Sequence, residues 1–241
     1  MSFLMTLRRL FITRKCVLCK EPISYDADVP FCKDCIKHWK AFLEIKCTKC
    51  GFKHTECTCL PEQIKKFCKH GAVWCVFYDS ESQLFANNLV FKLKREYNRD
   101  MIELCASLMA KNLKALCARY GIDYKDYVVT YSSRREVGKI RYGFDHTRKI
   151  AIALSRILGI KVENCFINKG KKEQKSLSKN QRRENAKASY YLKKNAQIAD
   201  KKFFLVDDII TTGATMSACI ELLYSQGAND VIPVAYAKNN K

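Results

Sequence analysis

Acidic residues are scarce in this 241-residue chain: 24 Asp and Glu stand against 44 Lys and Arg, a formal net charge of +20. A chain so short of carboxylates favours polyanionic partners, nucleic acid or anionic lipid. Long apolar runs are missing as well. None approaches the ~20 residues that a bilayer crossing needs, which excludes a spanning helix. A secretory signal is also lacking: Met1 to Lys15 is apolar but broken by Arg8 and Arg9, with no cleavage site. That stretch reads as an amphipathic segment docked on the body, with loose attachment to an anionic membrane as a second reading. Cysteine, by contrast, is plentiful. Ten of the 14 cysteines crowd into the first third, mostly in close pairs. With no secretory signal ahead of them, this arrangement argues against a disulfide scaffold and for metal.

Cys16-x2-Cys19 and Cys32-x2-Cys35 form two knuckles that together complete a tetrahedral thiolate site. A segment this small buries little apolar surface, so zinc is expected to hold its fold. A second set follows in Cys47-x2-Cys50 and Cys57-x-Cys59, the last pair one residue short of the usual spacing. His54 is the substitute ligand there, and spacing alone leaves open whether the knuckles of the two sets interleave. Four thiolates leave no position for water, so the zinc is structural. Cys75, Cys105, Cys117, Cys165 and Cys219 sit singly in apolar or helical patterns and read as small buried hydrophobes.

The chemistry concentrates near the other end. Phe203-Phe204-Leu205-Val206 reads as a buried parallel strand running into Asp207 and Asp208. Two residues later comes Thr211-Thr212-Gly213-Ala214-Thr215, and then a helical pattern. Ionised carboxylates only accept hydrogen bonds, so this pair suits ribose hydroxyls or a hydrated Mg²⁺. The threonine hydroxyls and loop amides suit a phosphate at a helix N-terminus, and Gly213 lets the backbone approach it. Elsewhere, strands at Val73 to Tyr78, Tyr127 to Tyr131, Val162 to Ile167 and Asp230 to Ala237 alternate with helices. One helix is capped by Ser82 and presents Leu84, Leu89, Phe91 and Leu93 as its apolar side; others run from about Asp100 to Tyr120 and end at Gly159 and about Gln226. This alternation implies a largely parallel α/β sheet. Lys169 to Arg183 is basic, polar and expected to be a mobile, solvated segment with one helical turn.

The strand, two acids, two spacers and Thr-Thr-Gly-x-Thr resemble the phosphoribosyl-pyrophosphate (PRPP) fingerprint of type I phosphoribosyltransferases. That resemblance implies that Asp207 and Asp208 hold the ribose hydroxyls and serve catalysis. It places the 5′-phosphate on residues 211–215. Arg134 and Arg135, in the loop after the strand Tyr127 to Tyr131, are implied to meet the pyrophosphate. Further motifs are similar to one branch of this fold: the cysteine pairs, Arg141-Tyr142-Gly143-Phe144-Asp145-His146, and Gln174-x-Ser176-Leu177 with Arg182-Arg183-x-Asn185-Ala186. Together they resemble the ComF competence family. The loop after the strand lacks the family's proline-rich run, Tyr142 is inserted, and Asp145 stands for Asn.

The resemblance implies a cytoplasmic protein that handles incoming single-stranded DNA during natural transformation, at the inner face of the membrane, with a DNA-translocating helicase and recombination-mediator proteins. It implies an N-terminal zinc module over residues 1–65 and a phosphoribosyltransferase-like domain over 66–241. Lys94, Arg95, Arg141, Lys171, Lys172, Lys175, Arg182 and Arg183 are the candidate DNA contacts, with nearby aromatics for base stacking. The alternative is an enzyme that transfers ribose 5-phosphate from PRPP to a nitrogen base with Mg²⁺.

Overall fold

The computed structural model describes residues 13–78, 84–170 and 179–240. The amphipathic N-terminal segment, the Ser82 cap, Lys171, Lys172 and Lys175 lie outside the described residues. In chain order the elements are α1 (Lys33–Leu43), the single-turn α2 (Glu62–Lys65), β1 (Val73–Tyr78), α3 (Leu84–Arg95), α4 (Arg99–Tyr120), β2 (Tyr127–Tyr131), α5 (Glu136–Tyr142) and α6 (His146–Leu158). They continue as β3 (Phe166–Asn168), α7 (Lys179–Ser189), β4 (Tyr190–Leu192), β5 (Lys202–Ile210), α8 (Ala214–Ser225) and β6 (Asp230–Asn239).

The main sheet runs β1-β6-β5-β2 with every pairing parallel, and β3 and β4 form a separate antiparallel pair. A parallel strand buried on both faces must be apolar at every position, and β5 shows why. Phe204 and Val206 enter the core shared with α4 and α6, while Phe203 and Leu205 enter the core shared with α8. Helix α6, which follows β2 and the short α5, thus lies on one face, and α8, which follows the neighbouring β5, on the other. Between such strands a crevice opens at their carboxyl ends.

Local signals set the helix ends. Asn98 caps α4 by accepting from the Met101 amide at 3.0 Å, and Gly121, at φ 63°, ends it in the left-handed region. The first cysteine module shares the main core: Cys16, Phe31, Trp39 and Phe42 cluster with Leu93 and Met101. Arg14 Nε donates to Asp100 at 2.9 Å, and Lys92 Nζ donates to the Leu18 carbonyl at 2.5 Å.

Some expectations shift. Val162 makes only a single parallel bridge to Val129, and the strand proper begins at Phe166, where it pairs with β4 instead. Only the end of the basic segment, Lys179 to Arg183, is helical, as the first turn of a helix that runs on to Ser189 and meets α8 where Ala186 packs on Ala214 and Ala218; residues 171–178 lie outside the described residues. Helix α5, which the polar sequence after β2 did not announce, starts at Glu136. Leu89 and Leu93 are buried as expected, but Phe91 is exposed, with the Arg95 guanidinium over its ring at 5.2 Å. Among the described residues, no helix is long and apolar enough to cross a membrane.

Candidate functional site

Side chains alternate along a strand, so Asp207 and Asp208 turn to different partners. Asp207 Oδ1 accepts from Ser132 Oγ and from the Asp208 amide, each at 2.8 Å. Asp208 Oδ2 accepts from His146 Nε2 at 2.6 Å and lies 3.0 Å from Lys94 Nζ, while Oδ1 accepts from the Ile209 amide at 2.6 Å. His146 Nδ1 faces Arg134 Nη1 at 3.4 Å. A guanidinium only donates, so Nδ1 is assigned as the acceptor and Nε2 carries the proton.

Two adjacent carboxyls out of water do not share one protonation behaviour. Burial, reinforced by the Asp208 charge, pushes Asp207 up to about 7. Burial would also raise Asp208, but Lys94 and His146 hold it well below the usual carboxylate range. A carboxyl raised on folding stabilises the fold at low pH, and that contribution is lost as pH rises through its folded value. The Asp207 contribution is therefore lost progressively as pH rises from its unfolded value of about 3.9 through its folded value of about 7, and the full cost stays above that. Asp207→Asn should gain on the wild type in thermal melts taken from about pH 5 to about pH 8. The expected gain is about 5–10 °C, because a pKa moved from about 3.9 to about 7 is worth about 3 kcal/mol over that range and each kcal/mol shifts a chain of this length by about 2–4 °C. A difference that stays constant across that range would contradict the raised value.

The loop Thr211 to Thr215 leads straight into α8. Gly213 takes φ 80° at the helix N-cap, and no side chain caps the helix there. The α8 amides thus offer the donor cradle that a phosphate takes. The loop is also covered: a Cβ at Gly213 would lie 3.0 Å from Ile64 Cγ2 and 3.4 Å from Pro61 Cβ.

The loop after β2 is held differently. Asp145 is the N-cap of α6, accepting from the Arg148 amide at 3.1 Å, and its other oxygen accepts from the Arg134 amide at 2.9 Å. A carboxylate serves both amides, where asparagine offers a single acceptor oxygen, which accounts for Asp in place of the family's Asn. Arg134 spans the region: it donates to the Lys94 carbonyl at 3.0 Å, and its guanidinium stacks 4.2 Å from the Tyr142 ring centre. Arg135 follows as the N-cap of α5 and lines the cleft.

These parts surround a cleft of about 1080 Å³. The acids and the threonine loop form its floor, and Ser132 to Arg135 one wall. Asn168, Asn185 and Ser189, from β3 and α7, form another, and Cys47, Lys49 and Cys59 reach its rim. The sequence reading assigned no site role to Asn168, Asn185, Ser132 or His146. Only Asn185 and His146 carried a signal, as members of the quoted signatures.

Asp208 as it stands offers a magnesium ion no free oxygen. Both oxygens of Asp208 are engaged, one of them by a cation belonging to the chain.

Both cysteine sets close as their spacing suggests, without interleaving. The sulfurs of Cys16, Cys19, Cys32 and Cys35 lie within 4.8 Å of one another, as do those of Cys47, Cys50, Cys57 and Cys59. A tetrahedral thiolate zinc, with bonds of about 2.3 Å, needs sulfurs roughly 3.8 Å apart, so both sets fit one. His54 stands outside the second set. Burial alone would raise the Cys16 thiol, but the amides of Cys19, Cys32 and Leu18 draw it down to about 7; amides within its own knuckle do the same for Cys47. Cys75, Cys105, Cys117, Cys165 and Cys219 are buried singly.

Of the basic residues assigned to DNA, Lys94 turns into the cleft. Arg95 stacks on exposed Phe91, and Arg141 lies 5.5 Å from the Tyr142 ring centre. Arg182 and Arg183 fall within α7.

Strand, acid pair, threonine loop and helix define a phosphoribosyltransferase-like domain, and residues 147–241 match the family described as "Phosphoribosyl transferase domain". The chain is 26% identical over 237 residues to competence protein ComFC of Streptococcus pneumoniae, covering 90% of this chain and 96% of that one. Together these matches make the chain similar to the ComF phosphoribosyltransferase-like proteins. Similar solved structures include a purine phosphoribosyltransferase from Pyrococcus horikoshii, at TM-score 0.36 and 21% identity over 57% of this chain and 73% of that one. Another is adenine phosphoribosyltransferase from Saccharomyces cerevisiae, at TM-score 0.36 and 22% identity over 58% of this chain and 70% of that one.

Proposed function

We propose that the cleft binds PRPP and that the chain is a competence protein handling incoming single-stranded DNA in natural transformation. The observation that carries the PRPP reading is the Asp207–Asp208 pair set directly before a threonine loop that opens α8. The pair accepts from ribose hydroxyls, and the loop donates to the 5′-phosphate. The name of the pneumococcal relative supports the competence role. The DNA reading rests on a net charge of +20 and on exposed rings beside cations: Phe91 with Arg95, and Tyr97 with Lys149 Nζ at 5.5 Å. Zinc fills both cysteine sets, a DNA-translocating helicase and recombination mediators are the partners, and the protein works in the cytoplasm at the inner membrane face.

Titration calorimetry should detect PRPP binding to the purified chain. Affinity for an oligothymidine strand should fall by at least about tenfold between about 50 and 200 mM salt, because neutralised phosphates release counterions. Absent PRPP binding, or a salt-insensitive DNA interaction, would overturn the corresponding half of this reading.

The cleft's size favours one further activity. Its volume of about 1080 Å³ is slightly above the range of small-molecule pockets, about 300–1,000 Å³. That leaves room beside PRPP for a nitrogen base as acceptor of ribose 5-phosphate. Pyrophosphate released with one nucleobase and not with others would establish transfer; silence with all of them would leave binding as the function.

A further inference from the structure

We infer that Lys94 is the built-in cation of the acid pair, standing where a divalent metal would otherwise bridge Asp208 to a phosphorylated pentose. The cleft accordingly takes that ligand without added metal. The pentose arm of this inference rests on the PRPP reading above; the metal arm does not.

The geometry leaves little choice. Asp208 Oδ2 already holds the Lys94 ammonium at 3.0 Å and the His146 imidazole at 2.6 Å, and Oδ1 holds the Ile209 amide at 2.6 Å. Magnesium demands near-octahedral oxygen ligands at about 2.0–2.1 Å and sheds its waters reluctantly. An ion on Oδ2 would lie within a few ångströms of the ammonium, where two like charges repel strongly at low dielectric. Lys94 is not placed there by chance. It sits in the last turn of α3, and its own carbonyl accepts from Arg134 Nη1 at 3.0 Å, so the residue is pinned at both ends. Its side chain remains 34% exposed and lines the cleft, so the ammonium has donors to spare. An ammonium carries three, and one is committed to Asp208. The others can meet a ribose hydroxyl or a pyrophosphate oxygen, the two ligand groups that a bridging metal would serve.

The test uses the full chain with its cysteine sites loaded, in buffer stripped of divalent ions by a chelating resin. Soluble chelator is avoided because it competes for the cysteines. Electron paramagnetic resonance with Mn²⁺ alone should show no site in the wild type that Asp208→Asn removes. Lys94→Met should create one, and the double change should abolish it. For PRPP, wild-type affinity should agree within about threefold with and without Mg²⁺. Lys94→Met should lose at least about tenfold without Mg²⁺, the worth of a charge-assisted hydrogen bond, and regain it when Mg²⁺ is added. Lys94→Arg, which keeps the charge, should stay independent of Mg²⁺. A wild-type Mn²⁺ site that depends on Asp208, or wild-type PRPP binding that collapses without Mg²⁺, would overturn the assignment. Failure to bind PRPP in either buffer defeats the PRPP reading instead, and the Mn²⁺ arm then decides the role of Lys94 by itself.

Discussion

Exchanging Asp207 and Asp208 together for asparagine is expected to weaken PRPP binding by at least about a hundredfold, while inorganic pyrophosphate binds as well as before or better. Each carboxylate accepts charge-assisted hydrogen bonds from ribose hydroxyls, worth about 1.5–3 kcal/mol apiece, and losing two such contacts accounts for the drop. An opposing effect exists. Carboxylates near a polyphosphate repel it, and with them gone the Lys94 ammonium loses its counter-charge on Asp208 and is left to attract anions. For PRPP the lost hydroxyl contacts win, because they are direct, while the repulsion acts across a wet, open cleft. For pyrophosphate, which has no hydroxyls, only the relief of repulsion remains. The two ligands should therefore part company in competition calorimetry. Equal losses for both would mean that the acids shape the cleft and do not grip the sugar. Affinity for single-stranded DNA should stay within about twofold of wild type if DNA lies on the outer basic surface.

What the sequence disclosed was what is contiguous along it. The Phe203 to Val206 run announces burial on both faces, and β5 divides it between two cores. The acids and the threonine loop are neighbours in the chain, so one pattern displays them both. Cysteine spacing shows which residues make a knuckle, because a knuckle is a local turn. It does not show which knuckles meet, because that is tertiary, and so the interleaved pairing and His54 stayed open until the sulfurs were placed. The partners of Asp208 were hidden for the same reason. Lys94 comes from α3 and His146 from α6, and nothing near either residue points to β5. Polar composition gave no notice of α7 beyond Arg183, where Ala186 packs on Ala214 and Ala218 of α8.

Cys16→Ser and Cys47→Ser are expected to fail in different ways. Cys16 is fully buried, and its module contributes Phe31, Trp39 and Phe42 to the core that α3 and α4 also build. A knuckle without its metal does not hold those rings in place, so the loss spreads into the body. Cys16→Ser should lower the melting temperature by at least about 10 °C, several kcal/mol in a chain of this length. The second set sits apart, in a small cluster with Trp74 and Phe77. It is fastened to the end of β6, where the Thr48 amide donates to Asn240 Oδ1 at 3.1 Å and Asn240 Nδ2 donates to the Lys46 carbonyl at 3.0 Å. Lys238 lies buried against it, 3.8 Å from Cys57 Sγ and 4.7 Å from the Trp74 ring centre. Four thiolates around a divalent ion leave a net negative charge, and a buried ammonium offsets it. From Cys59 the chain passes through Leu60 into Pro61 and Ile64, the two residues that press on Gly213. Releasing the second metal should therefore loosen the phosphate loop more than the core. Cys47→Ser should cost PRPP affinity about tenfold, with a melting shift less than half that of Cys16→Ser, about 5 °C at most. Scanning calorimetry and PRPP titration on the two variants separate these outcomes. Equal melting losses with unchanged PRPP affinity would show that Pro61 and Ile64 merely rest on the loop and do not position it.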